Sequence, residues 1–257
     1  MRYWLVMPAA GVGRRFGTSK PKQYAPLQGH TVIEWALAPF LVDPACAGIA
    51  VALAVEDPYW DEIAGRLGKV PGRRPELIFA EGGAERSQTV RKGLAALHGR
   101  AASDDWVLVH DAARPCLTAS DLQHLLNTLG SHRVGGILAT PAADTLKRAS
   151  ATAAAPATGG PEIEQTVDRA GLWRALTPQM FRYQMLCAAL DRALASGRLP
   201  TDEAQALEWM GERPVLVQGS AANIKITSAD DLVLAAALLG AHESSVSAGA
   251  AANQEQS

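Results

Sequence analysis

The chain is short of cysteine, of long apolar runs and of net charge, and each shortage removes a class of protein. Its three cysteines, Cys46, Cys116 and Cys187, are scattered and lack the paired spacing of a zinc or redox motif. They read as reduced, mostly structural thiols. No stretch reaches the length that spans a bilayer. The first apolar run, Trp4 to Met7, precedes Arg14 and Arg15 and is too short for a signal-peptide core. The expectation is a cytoplasmic protein with no membrane partner. A net charge of -2 and a pI near 6.3 give no general basic field, so nucleic acid is not an expected partner and any anion site must be local. Apolar material is plentiful: 48% of the 257 residues are hydrophobic, enough for one large core or two modest ones.

Short β-rich runs alternate with helical spacing through the first half, as in a parallel sheet covered by helices on both faces. Strands are predicted at Tyr3 to Met7, Gly48 to Val55, Glu76 to Phe79, Trp106 to His110 and Gly136 to Thr140. Each is nearly continuous in apolar residues, the pattern of strands buried on both faces. Helices are predicted over Val32 to Leu41, Tyr59 to Leu67 and Ser87 to Leu97. Thr118 with Asp121, and Ser228 with Asp231, fit capping boxes, so further helices should begin just after Thr118 and Ser228. Ala149 to Pro161 is almost entirely Ala, Thr, Gly, Pro and Ser and cannot pack a core of its own. Its flanks, Asp144 to Arg148 and Ile163 to Val167, have strand-like content, which makes the loop the tip of a projecting β-hairpin. The chain therefore reads as one domain over residues 1–240, with an arm at about 142–168 and a disordered tail over 241–257.

Three clusters carry candidate chemistry. The first strand ends in Pro8-Ala9-Ala10-Gly11-Val12-Gly13-Arg14-Arg15-Phe16-Gly17, whose small residues let the backbone approach a ligand and present its N–H groups. Phe16 stands where a dinucleotide fingerprint wants glycine, and no Lys-Ser or Lys-Thr pair follows to make a Walker loop. Arg14, Arg15, Lys20 and Lys22 follow instead, which suits a loop wrapping a triphosphate with side-chain cations. The same run also reads as a glycine-rich surface turn with solvated charges, and its residues alone leave both readings open. The second cluster, His110-Asp111-Ala112-Ala113-Arg114-Pro115, lies at the end of a central strand, where ligands gather in open α/β sheets. Asp111 there could bind a metal or a ribose hydroxyl, and Arg114 a phosphate; alternatively Asp111 is a helix cap with Arg114 as its ion-pair partner. His110 reads as a core histidine. The third, Gly82 to Thr89, joins a strand to a helix and could present backbone to a flat base, or be an ordinary turn capped by Ser87. Taken singly, Thr201 reads as an N-cap and Lys225 as a solvated charge.

In order and spacing, Pro8 to Arg15, Pro21-Lys22-Gln23-Tyr24, Gly82-Gly83, His110 to Pro115, Asp144-Thr145, Val167-Asp168-Arg169, Leu176 to Gln179, Thr201 to Ala204 and Asn223 to Lys225 resemble the 2-C-methyl-D-erythritol 4-phosphate cytidylyltransferase family of the non-mevalonate isoprenoid pathway. The likeness covers nearly all of Tyr3 to Leu239. Phe16, where the family often has Met, a longer Ala-rich arm tip and the segment after Leu239 depart from it. Bifunctional members carry a cyclase domain for which this chain is too short.

The resemblance implies a Rossmann-like α/β fold of nucleotidyltransferase type, a mostly parallel sheet with helices on both faces plus the hairpin arm. It implies transfer of CMP from CTP to 2-C-methyl-D-erythritol 4-phosphate with release of pyrophosphate. Ala9, Ala10, Gly11, Gly13, Gly82 and Thr89 would then surround the cytosine and nearby phosphates, with Asp111 and Ala112 at the ribose. Arg15, Lys22 and Lys225 would be the catalytic cations. Arg114 and Thr177, with Thr145 and Arg169 from a partner's arm, would hold the polyol phosphate. Mg²⁺ would travel mainly on the CTP phosphates, with Asp111 as the candidate protein ligand. The implied assembly is a homodimer with interlocked arms. Three other readings stand beside this one. They are a ribitol 5-phosphate cytidylyltransferase with the same CTP half, an NAD-dependent oxidoreductase using the glycine-rich turn, and a non-catalytic nucleotide-binding protein.

Overall fold

The computed structural model describes residues 1–11, 16, 20–68, 75–150 and 160–254, with side chains up to residue 241. In chain order the elements are β1 (Tyr3–Pro8), a 3-10 turn (Lys22–Tyr24), the two-residue pair β2 (Pro26–Leu27) and β3 (His30–Thr31), α1 (Val32–Val42), β4 (Cys46–Leu53), α2 (Trp60–Gly68), β5 (Glu76–Glu81), α3 (Arg86–Ala96), β6 (Trp106–Val109), α4 (Ala119–Leu129) and β7 (Gly135–Pro141). Then follow β8 (Leu146–Ala149), β9 (Ile163–Val167), β10 (Trp173–Arg182), α5 (Tyr183–Ala195), α6 (Glu203–Glu208), β11 (Val215–Gln218) and α7 (Ala229–Gln254).

Seven strands form the central sheet in the order β11-β7-β10-β6-β1-β4-β5. The ladders β1–β4, β1–β6, β4–β5 and β7–β11 are parallel, and β10 runs antiparallel to both β6 and β7. Period-two alternation sends the side chains of β1 to opposite faces. Tyr3, Leu5 and Met7 pack with Ile33, Leu37 and Phe40 of α1 and Leu125 and Leu129 of α4. Trp4 and Val6 pack on the other face with Val90 and Leu94 of α3 and Leu186 and Leu190 of α5. Fully burying each such aliphatic side chain contributes roughly 1.5–3 kcal/mol, so the two layers clamp the sheet from both sides. The predicted strands and helices are present to within a few residues, and α4 and α7 begin where the Thr118 and Ser228 boxes put them. Thr118 Oγ1 accepts from Asp121 N at 3.1 Å at the start of α4, and Asp231 Oδ2 accepts from Ser228 N at 2.8 Å at the start of α7.

The sequence predicts no strand over β10, and the physical reason is Pro178. A proline within a run argues against a central strand because it cannot donate to the ladder. Here the pairing with β7 shifts register between Ala175 and Gln179, and the proline falls in that gap. Side chains fill in for the ladder: Asn223 Nδ2 donates to the Thr177 carbonyl at 2.7 Å. α7 is the second difference, since its backbone continues to Gln254 where a disordered tail was expected. Alanine-rich segments carry high helix propensity, which suits continuation. The expected arm is present. β8 and β9 pair antiparallel in a sheet of their own, and every residue of β8 is exposed. The arm tip, 151–159, lies outside the described residues. Among the described residues no helix is long and apolar enough to cross a membrane.

Candidate active site

A cleft of about 260 Å³ opens at the carboxyl ends of the parallel strands. Ala9, Ala10 and Gly11 form one wall, Gly83 to Arg86 and Thr89 another, Asp111 and Ala112 the floor; Lys22 and Lys225 complete it. Most of the residues expected around CTP therefore do meet in one place. Gly13 and Arg15 lie outside the described residues.

Local chemistry explains each wall. Ala9 N donates to Ala52 O at 2.7 Å, and buried Gln23 donates through Nε2 to the carbonyls of Ala9 at 2.7 Å and Gly11 at 3.1 Å. The turn after β1 is thus pinned from behind while its other side faces the cleft. Gly82 N donates to Leu53 O at 2.6 Å, and a Cβ on Gly82 would meet the Ala10 side chain and lie 2.9 Å from that carbonyl oxygen. Glycine is needed there so that the ends of β5 and β1 can close on one another. Gly82 is a packing element beside the cleft, and Gly83 lines it. Thr89 Oγ1 accepts from Gly83 N at 3.0 Å and donates to Glu85 O at 3.0 Å, which sets the turn into α3. The N-cap of α3 is Glu85, not Ser87, whose buried hydroxyl has no hydrogen-bond partner among the described residues.

The cations converge. Lys22 Nζ donates to the Ile226 carbonyl at 2.6 Å, and Lys225, the preceding residue in that remote loop, places Nζ 2.8 Å from Asp111 Oδ2. Arg86 Nη2 lies 3.0 Å from Asp111 Oδ1. Burial opposes the charge on Asp111, but Arg86 first and Lys225 next more than offset it and hold the carboxyl well below the usual carboxylate range. Asp111 is accordingly committed to cations on both oxygens. That does not suit the metal-ligand role expected for it, and the described residues contain no cluster of three or more potential ligands that could hold an ion.

His110 is the satisfied core histidine the sequence suggests. Its Nε2 lies 3.1 Å from Arg114 O and its Nδ1 2.9 Å from Thr177 Oγ1, and burial lowers its pKa to about 4. The four residues expected at the acceptor do not line the cleft. Arg114 is buried and donates to Asn223 O at 2.7 Å, with its Nε 3.7 Å from Asp111 Oδ2, and Asp111 N donates to buried Thr177 Oγ1 at 3.1 Å. Thr145 and Arg169 are exposed at the base of the arm, where Arg169 Nη1 donates to Ala143 O. Thr201 is not the cap of α6; Asp202 is, accepting from Gln205 N at 2.9 Å. Arg86 and Glu203 are the functional-site residues that sequence reasoning missed. A signal for Arg86 was available, because a cation in the first turn of a helix runs against the helix dipole.

A mostly parallel sheet with helices on both faces, bearing a glycine-rich turn and converging lysines at its carboxyl edge, defines a nucleotidyltransferase-type α/β enzyme domain. The profile of the 2-C-methyl-D-erythritol 4-phosphate cytidylyltransferase family matches residues 3–241. The chain belongs to that family. The enzyme of that name from Halorhodospira halophila is 52% identical over 241 residues, covering 93% of this chain and 95% of its own. Its namesake from Pseudomonas putida is 48% identical over 235 residues, covering 90% and 92%. Among solved structures, a 4-diphosphocytidyl-2C-methyl-D-erythritol synthase superposes with a TM-score of 0.76 at 37% identity, over 93% of this chain and 98% of that one. The Francisella tularensis cytidylyltransferase does so with a TM-score of 0.74 at 32% identity, over 93% and 100%.

Proposed function

We propose that the chain transfers CMP from CTP to 2-C-methyl-D-erythritol 4-phosphate, giving 4-diphosphocytidyl-2-C-methyl-D-erythritol and pyrophosphate. The observation that carries this reading is the meeting of Lys22, from the 3-10 turn, with Lys225, from a loop some 200 residues on, at one cleft walled by the backbone of Ala9 to Gly11 and Gly83. Ala9 to Gly11 and Gly83 offer main chain to base and phosphates. Lys22 holds the triphosphate, and Lys225 stabilises charge at the α-phosphorus while the acceptor phosphate attacks in line and pyrophosphate leaves. No general base is needed, because a phosphate monoester with a second pKa near ~6 is largely dianionic at neutral pH. Positioning and fixed charge then dominate the rate. Arg15 belongs to the same cation set.

Mg²⁺, when bound, would be held by the nucleotide's phosphates rather than by Asp111, and would supply neutralisation of their charge. The acceptor is assigned to the neighbourhood of Arg114 and Thr177, completed by Thr145 and Arg169 from a second copy. An isolated two-stranded hairpin is marginal in water, and the exposed apolar side chains Leu146 and Ile163 on β8 and β9 favour a homodimer in which each arm lies against its partner. A cytoplasmic location goes with substrates that are highly charged phosphates. Pyrophosphate release, measured with CTP and either methylerythritol phosphate or ribitol 5-phosphate, tests the reading. Turnover should occur with the first acceptor; turnover confined to the second, or CTP binding without any, sinks it.

A further inference from the structure

One guanidinium ties together three segments far apart in the chain. Arg86 opens α3, Asp111 follows β6 and Glu203 opens α6. Arg86 Nη1 donates to Glu203 Oε1 at 2.6 Å and Nη2 to Oε2 at 3.1 Å, a two-point fork, while Nε donates to Asp111 Oδ1 at 3.1 Å. The other oxygen of Asp111 holds Lys225 Nζ at 2.8 Å. α6 is itself anchored to β10, because Gln179 Oε1 accepts from Ala204 N at 2.9 Å and its Nε2 donates to Asp202 Oδ2 at 2.9 Å.

Fold stability is a poor account of this fork. A cation in the first turn of α3 opposes the helix dipole. Glu203 is fully buried, and a buried ion pair seldom returns more than its desolvation costs. Arg86 also lines the cleft, directly beside Asp111. Its geometric effect is on Asp111: with Oδ1 fixed by Arg86, only Oδ2 is left for Lys225. A carboxylate without that restraint could turn both oxygens on the ammonium and draw it back from a ligand.

We propose that Arg86, oriented by Glu203, is a positioning residue for cytidylyl transfer, fixing the Asp111 carboxylate so that the Lys225 ammonium faces the reacting phosphate. This rests on the role given to Lys225 above. Arg86 does not touch the reacting atoms; it acts through Asp111. Lysine at position 86 keeps the charge but loses the planar fork that spans two carboxylates.

The test is steady-state pyrophosphate release by the full chain with CTP and methylerythritol phosphate, run beside thermal unfolding. The variants are Arg86→Gln, Arg86→Lys, Glu203→Gln, Lys225→Ala and the double variant of Arg86→Gln with Lys225→Ala. Misplacing a catalytic group by about an ångström costs on the order of 10²-fold, so Arg86→Gln should lower kcat about 100-fold with the KM for CTP held within about threefold. Arg86→Lys should recover part of that loss. Residues acting as one unit are non-additive, so the double variant should be about as slow as Lys225→Ala alone. An Arg86→Gln enzyme with wild-type kcat overturns the proposal, as does a double variant whose loss is the product of the two single losses. If Arg86→Gln does not fold, Glu203→Gln decides, assayed well below its own unfolding midpoint, which loss of one partner of a buried pair should lower: kcat about tenfold lower with the KM for CTP held within about threefold is the supporting result, and unchanged kcat the contrary one. Lys225→Ala with undiminished kcat would remove the lysine assignment itself. A slow Lys225→Ala beside a fast Arg86→Gln removes only the positioning role.

Discussion

The cleft and the arm are built on opposite terms. In the cleft, almost every polar side chain is committed to a partner within the chain: Lys225 and Arg86 to Asp111, Gln23 to two carbonyls, Thr89 to its own turn. The arm's strands pair with each other, and their side chains stand in solvent, with Ile163 65% exposed. A site made of fixed charges is already organised before a ligand arrives, so its electrostatic work needs little rearrangement. In the proposed homodimer such a hairpin would gain its packing from a second copy. The cleft should therefore respond to substitution in turnover, and the arm in association and acceptor affinity.

The largest expected effect tests the first half of that contrast. Lys22→Ala and Lys225→Ala should each lose roughly 2.7–4 kcal/mol of transition-state stabilisation, the range for removing one oxyanion-hole donor, read as a 10²–10³-fold fall in kcat. Near-normal kcat in either would mean that the converging cations are not the catalytic ones. On the arm, Arg169→Ala should raise the KM for the acceptor while leaving that for CTP unchanged. Ile163→Asp should shift the assembly towards monomer in sedimentation. Intact acceptor binding by calorimetry in the first, or an unaltered assembly in the second, would erase the distinction between the two regions. The smallest effect concerns the sheet beneath the cleft. Burial, with Cys46 and Asp43 adding to it, raises the pKa of the Tyr3 hydroxyl far above its ordinary value, and burial pushes the Cys46 thiol up to about 12. Groups raised in the folded state contribute stability that is complete below their unfolded pKa values, near 8.5 and 10, and is lost as pH rises beyond them. Chemical denaturation followed between pH 8 and 11 should show falling stability, and Tyr3→Phe should flatten the fall. A slope untouched by that substitution would assign the alkaline loss elsewhere.

What could be read from the sequence follows the same division between local and distant physics. Strands such as Trp106–Val109 and caps such as Thr118 declare themselves through periodicity and spacing over a few residues. The glycine-rich turn and Asp111 were legible for the same reason, since each follows a recognisable strand. β10 was hidden because the Thr177 carbonyl beside its proline is satisfied by Asn223, 46 residues beyond Thr177, and no local pattern carries that. Arg86 and Glu203 were hidden likewise: their bond joins positions 117 apart. Thr177 and Arg114 were found by motif, yet their hydrogen bonds brace His110, Asp111 and Asn223 from outside the cleft, an arrangement that only the three-dimensional packing reveals.

The arm leaves the sheet where Pro141 of β7 lies across from Trp173 of β10, and the Ala142 amide closes the junction by donating to the Leu172 carbonyl at 2.9 Å. Whatever is spliced between those two points starts and finishes at a seam already stitched by neighbouring strands. Loop length there weighs little on the body of the protein, since each doubling costs only about 0.6 kcal/mol in closure entropy. The body can thus be treated as a chassis with a socket, into which arms of different length or contact preference could be fitted while the cleft stays as it is.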